Sequence, residues 1–284
     1  MSSLPDQTGR THLITGATSG LGRAAALALL RAGAEVWVVG RSPQKLEALA
    51  QEAEAGPRLR TLRCDLQEMA QVKALVEEVR ARVPRLDVLI NNAGAIFKER
   101  GLTSEGLERT FAVDHMAYFA LTLGLLPLLE ASAPARVVST ASDAYRAGRL
   151  DFEDLQLERG YGRLGFTAYS NVKLMNLLFT RELARRTADR GIAATCHHPG
   201  FVGSNMGLNN GWAAKWVMAL TRPLQVTPLQ GADTLLWLAT APEAEWESGG
   251  YYAKRRLVQP AAVGRDAEAA RRLWETSERI LASI

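Results

Sequence analysis

The sequence predicts one α/β domain, a doubly wound parallel sheet of about seven strands with helices on both faces. Short apolar runs alternate with amphipathic helical stretches along almost the whole 284-residue chain. The turns between them are short, and no low-complexity linker or shift in composition divides the chain. Repeated β-α-β units of this kind form parallel sheets through right-handed crossovers. We therefore expect residues 1–284 to fold as a single domain.

The pattern of apolar residues places each element in order. Strands are predicted at residues 12–15, 35–39, 58–63, 86–90, 136–141 and 192–197, with a weaker strand near Tyr251. Helices are predicted at residues 21–32, 43–54, 68–83, 104–129, 170–190, 230–239 and 267–281. Residues 207–223 are rich in Trp and Met and do not follow the alternation.

Composition argues against several classes of function. Hydrophobic residues make up 47% of the chain and charged residues 23%, which is ordinary for a soluble globular protein. The net charge of +4 is mild, and no block of Lys and Arg is long enough to suggest a nucleic-acid partner. Residues 1–10 lack the order of a signal peptide, and the longest apolar run, residues 116–129, is too short to span a membrane. Cys64 and Cys196 belong to different strand regions and are interpreted as buried free thiols. We expect a cytoplasmic protein with no membrane span.

A glycine-rich turn joins the first predicted strand to the first predicted helix. Gly16, Gly20 and Gly22 follow a Gly-x-x-x-Gly-x-Gly spacing in this turn. Glycine lets a backbone turn tightly and approach a phosphate, and the N-terminus of the following helix offers free N–H donors to an anion. In the first unit of a doubly wound sheet, this arrangement predicts a dinucleotide site of the Rossmann type.

The end of the second predicted strand indicates which dinucleotide binds. An NAD site would place Asp or Glu there to bind the ribose 2′-hydroxyl, but this chain has Gly40 followed by Arg41. A guanidinium group suits a 2′-phosphate by charge and geometry. The sequence therefore favours NADP(H) over NAD(H), although Arg41 could instead stack on the adenine and pair with nothing.

Tyr169 and Lys173 stand four residues apart, a spacing that places them on one face of a helix. An ammonium group beside a phenol stabilises the phenolate, which allows the phenol to give or take a proton near neutral pH. A lone pair at this spacing is more often a core tyrosine and a surface lysine. Ser142 follows the fifth predicted strand and is favoured over Ser139, which lies inside that strand.

Several further motifs lie at the carboxyl ends of the predicted strands, the rim where doubly wound sheets bind ligands. In chain order they are Asp65-Leu66, Asn91-Asn92-Ala93-Gly94 and His198-Pro199-Gly200. Together with the glycine turn, Ser142, Tyr169 and Lys173, they resemble the short-chain dehydrogenase/reductase family over essentially the whole chain. Residues 102–107, 148–152, 249–252 and 272–278 resemble its retinol-dehydrogenase-like branch.

The resemblance implies a role for each matching residue. Ser142 would hydrogen-bond the substrate oxygen, Tyr169 would be the proton donor or acceptor, and Lys173 would assist Tyr169 and bind the nicotinamide ribose. The cofactor would be held by Gly16, Ser19, Gly20, Leu21 and Gly22 at the pyrophosphate, Asp65 and Leu66 at the adenine, Asn92, Ala93 and Gly94 at the adenosine ribose, and Pro199, Gly200 and Val202 at the nicotinamide.

Asp114 departs from the pattern of the family, which often has an Asn at this position to help hold a water that leads to the lysine. If the backbone carbonyl at this position holds the water, Asp114 can substitute for the Asn. If the side chain matters, a carboxylate near Lys173 would change the proton path and partly offset the positive field of the lysine. We expect retained activity with a shifted pH optimum.

The resemblance also implies a hydrophobic carbonyl or alcohol substrate. Trp212 and Trp216 fall on one helical stripe of a predicted lid at residues 205–223, and with Phe201 and Tyr145 they could wall an apolar substrate pocket. The same stripe could equally pack the lid helix on its own domain.

Three further expectations concern assembly, metals and alternative functions. The long helices are apolar around much of their circumference at residues 111–126 and 172–179, which favours burial in a homodimer or homotetramer. His197 and His198 have no third ligand at a useful spacing, so they are interpreted as structural and no metal site is expected. Besides an NADP(H)-dependent oxidoreductase, the chain could be a catalytically silent NADP(H)-binding regulator or a sugar-nucleotide epimerase or dehydratase.

Overall fold

The sheet has eight strands in the order β3-β2-β1-β4-β5-β6-β7-β8. This computed structural model describes residues 4–200 and 226–284. The strands are β1 (Thr11–Thr15), β2 (Glu35–Gly40), β3 (Leu59–Arg63), β4 (Val88–Asn91), β5 (Ala135–Thr140), β6 (Ile192–His198), β7 (Tyr251–Ala253) and β8 (Arg256–Leu257). β1 to β7 pair in parallel, which confirms the predicted doubly wound sheet, whereas β8 pairs antiparallel with β7. β8 is too short for a sequence pattern and was not predicted.

Helices cover both faces of this sheet. They are α1 (Gly20–Arg31), α2 (Pro43–Ala53), α3 (Met69–Arg82), α4 (Arg109–Ala131), α5 (Phe166–Arg186), α6 (Asp233–Thr240) and α7 (Ala267–Ala282). Alternate residues of the strands face opposite sides: Ile14 packs with α1, α2 and α6, and Leu13 packs in the core formed with α3, α4, α5 and α7. The chain runs from β1 towards β3 and then returns to β4 on the other side of β1. A crevice therefore opens between the carboxyl ends of β1 and β4.

Two helices begin four or more residues away from the predicted start. α4 begins at Arg109 instead of residue 104, because Leu102 and Glu108 form a β-bridge and the Glu108 carboxylate caps the helix by accepting hydrogen bonds from the N–H groups of Thr110 and Phe111. α5 begins at Phe166 instead of residue 170, after Gly165 at a φ of +72°. Tyr169 therefore lies inside the first turn of α5.

The C-terminal helix α7 packs on the apolar faces of α4 and α5. The ring of Trp274 in α7 stacks on Phe179 with the ring centroids 5.8 Å apart, and it meets Phe119 of α4 edge-on at 5.0 Å. The Arg186 guanidinium lies 4.5 Å from the centroid of the same indole ring. The apolar character of these two helices is thus explained at this contact by the chain's own C-terminus, and it does not require a second subunit there.

α4 is also the one helix in the described part of the chain that is long and apolar enough to cross a membrane. It has 23 residues, and 72% of its most apolar window is buried inside the protein. Burial of this extent is typical of a core helix, since its side chains already pack against α3, α5 and the sheet.

Candidate active site

The glycine turn packs directly against the end of β4. Gly16 has a φ of +66°, and a Cβ atom there would lie 2.7 Å from the Cα atom of Ala93. Ser19 is the N-cap residue of α1, but its side chain accepts no hydrogen bond from the helix. The first N–H groups of α1 are therefore available to an external anion, so the turn fits the pyrophosphate of a dinucleotide. Leu21 and Gly22, also predicted at this site, form the first turn of α1 and are buried.

Thr15 joins the two strands that flank the crevice, and the sequence analysis did not identify it. Its hydroxyl oxygen accepts hydrogen bonds from the N–H groups of Asn92 at 2.9 Å and Ala93 at 3.0 Å. The Asn92 side-chain amide donates in return to the Thr15 carbonyl oxygen at 2.9 Å. The only sequence signal for this role was a polar residue at the end of an otherwise apolar strand.

Arg41 and Asp65, both predicted to contact the adenosine half of the cofactor, lie next to each other. The Arg41 side chain is 66% exposed, and its Nη1 atom is 3.7 Å from Oδ2 of Asp65. Ion pairs this exposed contribute about 0–1 kcal/mol, so the guanidinium is readily available to another anion. A Cβ atom on Gly40 would lie 2.6 Å from the Cγ2 atom of Thr18, so any side chain at position 40 would displace Thr18. The neighbouring Leu66 is buried.

Lys173 and Asp114 form a buried ion pair at the centre of the site. Nζ of Lys173 lies 2.9 Å from Oδ2 of Asp114, and both side chains are essentially excluded from solvent. Oδ1 of Asp114 accepts a hydrogen bond of 2.7 Å from the N–H group of Ala95. Asp114 lies in a π-helical turn of α4, Ala112–Met116. This pairing agrees with the expectation that a carboxylate at position 114 contacts the lysine.

The pKa values of the pair follow from burial and from their contact. Burial by itself would lower the pKa of Lys173, but the Asp114 carboxylate and the hydroxyls of Tyr118 and Tyr169 together outweigh burial, so the net shift of the lysine pKa is upward. Burial raises the pKa of Asp114, while the ammonium group and the Ala95 N–H act in the opposite direction. Lys173 therefore carries its proton at neutral pH, with much of its charge directed to Asp114.

Tyr169 and Ser142 are half-buried at the rim above this pair. Nζ of Lys173 lies 5.2 Å from the centroid of the Tyr169 ring. Ser142 stands beyond the end of β5 and caps the short 3₁₀ turn Asp143–Ala147, where its Oγ atom accepts a hydrogen bond of 3.2 Å from the N–H of Ala144. Ser139, the alternative serine, is buried within β5.

Gly94 and Tyr118 complete the enclosure of the ion pair. A Cβ atom on Gly94 would lie 3.1 Å from Oδ2 of Asp114 and 3.5 Å from Nζ of Lys173, so the backbone at position 94 packs on the pair. The buried Tyr118 hydroxyl donates to the carbonyl oxygen of Ala93 at 2.7 Å. Tyr118 was missed by the sequence analysis, since a tyrosine inside an apolar helix gives no signal beyond its contribution to the core.

The end of β6 carries the residues predicted at the nicotinamide. Pro199 and Gly200 follow the strand and are half-buried. Val202, Phe201, Trp212, Trp216 and the predicted lid at residues 205–223 lie outside the described residues.

Two predictions about neighbouring aromatic and histidine residues have different outcomes. Tyr145 does not wall the site, because it is fully buried in the core, where its hydroxyl accepts a hydrogen bond of 2.8 Å from the N–H of Ala261. His197 is buried and lies 3.2 Å from Thr140 Oγ1, and burial lowers its pKa to about 3. This fits the structural role predicted for His197. Among residues 4–200 and 226–284, no group of three or more His, Cys, Asp and Glu side chains could hold a metal ion.

The sequence pattern of one family, described as short chain dehydrogenase, matches residues 10–153. The chain belongs to this family. The match covers the glycine turn, the crevice between β1 and β4, and Ser142, and the relatives described next extend over the remaining sequence.

Family members with known names cover nearly the whole chain. Retinol dehydrogenase 14 of Mus musculus is 40% identical over 293 residues, covering 95% of this chain and 85% of its own. A protein of Streptomyces sp. strain C5, provisionally named a daunorubicin C-13 ketoreductase, is 43% identical over 271 residues, covering 95% and 91%. These matches make the chain a retinol-dehydrogenase-like member of the family.

Solved structures agree with this placement. A Mycobacterium paratuberculosis protein of uncharacterised function is 32% identical and superimposes with a TM-score of 0.81 over 99% of this chain and 96% of its own. A short chain dehydrogenase from Escherichia coli CFT073, so named provisionally, was solved in complex with NADPH. It is 26% identical, with a TM-score of 0.68 over 87% of this chain and 97% of its own.

Proposed function

We propose that this protein is an NADP(H)-dependent oxidoreductase that interconverts a hydrophobic carbonyl compound and its alcohol. One arrangement carries the proposal: Tyr169 and Lys173 share a face of α5, and Ser142 begins the turn that packs against that helix. Tyr169 and Ser142 are half-buried at the rim of the sheet, and Lys173 is buried beneath them. A proton donor, a fixed positive charge and a second hydroxyl are the groups that carbonyl reduction requires.

The protein's part in reduction is to orient the substrate and deliver a proton. A nicotinamide cofactor held at the glycine turn supplies the hydride. The hydroxyl groups of Ser142 and Tyr169 donate hydrogen bonds to the carbonyl oxygen, and the Tyr169 proton moves to that oxygen as negative charge develops on it. Because Asp114 keeps Lys173 protonated, the ammonium group then stabilises the phenolate left at Tyr169. Alcohol oxidation reverses these steps.

The preference for NADP(H) rests on the pair of Arg41 and Asp65. A 2′-phosphate would compete with the Asp65 carboxylate for the exposed guanidinium and form shorter, charge-assisted hydrogen bonds with it. Gly40 favours the same coenzyme, because it lacks the acid that would bind a 2′-hydroxyl, and an acid there would displace Thr18. The NADPH complex of the Escherichia coli relative is consistent with this choice.

The proposal includes a cytoplasmic location and a homodimer or homotetramer. Since α7 covers α4 and α5 at Trp274, a subunit interface of this protein would use other parts of these helices or another surface.

NADPH consumption with a panel of apolar aldehydes and ketones tests the proposed activity. The wild type should oxidise NADPH only when a carbonyl compound is present, and Tyr169→Phe should lower kcat/KM by about 10²–10⁴ without changing NADPH affinity. Tight NADPH binding without turnover of any carbonyl would favour the catalytically silent regulator. Turnover of nucleotide sugars without net NADPH consumption would favour the epimerase.

A further inference from the structure

Four apolar side chains form an exposed surface beside the catalytic tyrosine, called here the apolar rim: Ile96, Phe97, Leu164 and Phe166. Leu164 is 64% exposed and Phe166 is 55% exposed. Ile96 and Phe97 are half-buried next to them. A single exposed leucine needs no explanation, but a group of large apolar side chains at the edge of a site indicates a binding surface.

The backbone at Leu164 is held in an unfavourable conformation. Its φ is +56°, in the left-handed region, and Gly162 and Gly165 on either side have φ values of +78° and +72°. A residue with a Cβ atom is disfavoured in this region, which Gly or Asn occupies more easily. Burial does not offset the cost, because the Leu164 side chain lies mostly in water. A strained residue with an exposed apolar side chain points to a role in binding.

The rest of the protein fixes this segment in place. The Tyr161 hydroxyl lies 3.1 Å from the carbonyl oxygen of Phe97 and 3.0 Å from Oε1 of the buried Glu108. Gly165 packs against the same carbonyl group so closely that a side chain could not fit. The Arg109 guanidinium lies 4.5 Å from the centroid of the Phe97 ring. The apolar rim is therefore a preformed surface.

The apolar rim lies next to the residues proposed to react with the substrate. Phe166 precedes Tyr169 by three residues and Lys173 by seven, so the three side chains lie along one face of α5, with Phe166 at its outer end. Ile96 lies two residues after Gly94, whose backbone packs on the pair of Lys173 and Asp114. The rim therefore borders the approach to Tyr169 on two sides, from α5 and from the loop after β4.

We infer that the apolar rim binds the part of the substrate that is remote from the reacting carbon, and that it selects carbonyl compounds with a large apolar group, such as a ring system or a long chain. The inference rests on the proposed function. A small aldehyde reaches Ser142 and Tyr169 without touching the rim, whereas a large one covers Leu164 and Phe166 and removes their apolar surface from water.

Leu164→Asn tests this inference, with decanal and butanal as the two substrates. Asn adopts the left-handed conformation more easily than Leu, so the variant should fold with unchanged or increased stability. Because the variant loses the apolar contact between Leu164 and the chain of the substrate, KM for decanal should rise about tenfold, with kcat and both constants for butanal unchanged. Leu257→Asn is the matched control, since Leu257 is 52% exposed on β8 and remote from the rim. Its constants should equal those of the wild type.

Several outcomes would overturn the inference. An equal change of KM for both aldehydes, or no change for either, would exclude a role in selecting the apolar group. Loss of co-sedimentation with phosphatidylcholine vesicles in Leu164→Asn, with KM for decanal unchanged, would identify the rim as a membrane contact instead. If the wild type turns over no carbonyl, the proposed function fails. Calorimetric titration with decan-1-ol and NADP⁺ then tests whether the rim binds an apolar chain. Equal affinities of the wild type and Leu164→Asn for decan-1-ol would exclude such binding.

Discussion

Replacing Asp114 with Asn removes one charge from the buried pair with little change in shape. The amide oxygen can still accept the hydrogen bond from the Ala95 N–H, whereas the carboxylate 2.9 Å from Lys173 is lost. At an effective dielectric constant of about 20, two unit charges at this separation interact by about 6 kcal/mol. Because Lys173 would then be buried without a counter-charge, we expect a loss of about 3–5 kcal/mol of stability.

The same substitution should move the pH dependence of catalysis to lower pH. In the wild type, Asp114 offsets part of the field that Lys173 exerts on the Tyr169 phenol, and it also raises the pKa of Lys173. Without Asp114, Lys173 loses its proton at a lower pH than in the wild type, and below that pH its ammonium field acts fully on the Tyr169 hydroxyl. Tyr118, Glu108 and His197 also face the pair and are the same in both proteins. The midpoint of the profile for alcohol oxidation should therefore fall by about one pH unit or more, which corresponds to 1.36 kcal/mol per unit.

Profiles of kcat/KM against pH for wild type and Asp114→Asn measure this shift. Glu182→Gln is a suitable control, because Glu182 is also a buried carboxylate in ion pairs, with Arg185 and Arg186, but lies far along α5 from Tyr169. The Glu182→Gln variant should be less stable than the wild type and should keep the wild-type profile of kcat/KM against pH. Superimposable profiles for Asp114→Asn and the wild type would refute the reasoning.

The pair also predicts how stability depends on pH. The pKa of Lys173 is raised in the folded protein, so its contribution to stability is fully present below the ordinary lysine pKa of about 10.4 and is lost as pH rises through the raised value. The free energies of unfolding of the wild type and Asp114→Asn, measured with denaturant between neutral and alkaline pH, should therefore converge as the pH rises. A stability difference that stays constant over this range would contradict this account.

Two further predictions concern the cofactor and the C-terminal helix. Arg41→Glu should weaken NADPH binding far more than NADH binding, because it places a carboxylate beside Asp65 and opposite the 2′-phosphate. Fluorescence titration measures both affinities, and an equal loss of affinity for the two coenzymes would exclude this role of Arg41. Trp274→Ala should lower the free energy of unfolding by about 3–5 kcal/mol, since the indole ring fills the space between Phe119 and Phe179. Unfolding in urea measures this free energy, and a decrease of less than about 1 kcal/mol would mean that α7 contributes little to the core.

The sequence by itself determined the fold class and most of the site, because these depend on local patterns. Periodicity and turn residues placed seven parallel strands within a few residues of their observed bounds. The carboxyl ends of parallel strands meet at one edge of a sheet, so residues as distant in sequence as Gly16, Asn92 and Ser142 could be assigned to one site before their contacts were known. Helical spacing placed Tyr169 and Lys173 on one face of a helix, and the resemblance to the family supplied their predicted roles.

The tertiary structure decided what depends on contacts between distant segments. The ion pair of Asp114 and Lys173 joins α4 to α5, and Asp114 lies in a π-helical turn that has no sequence signature. The burial of Tyr145, the packing of Trp274 over α4 and α5, and the apolar rim each arise where separate segments meet. A local pattern shows that a side chain is apolar or ionisable. Only the packing of the whole chain determines whether that side chain faces the core, another charge or the substrate.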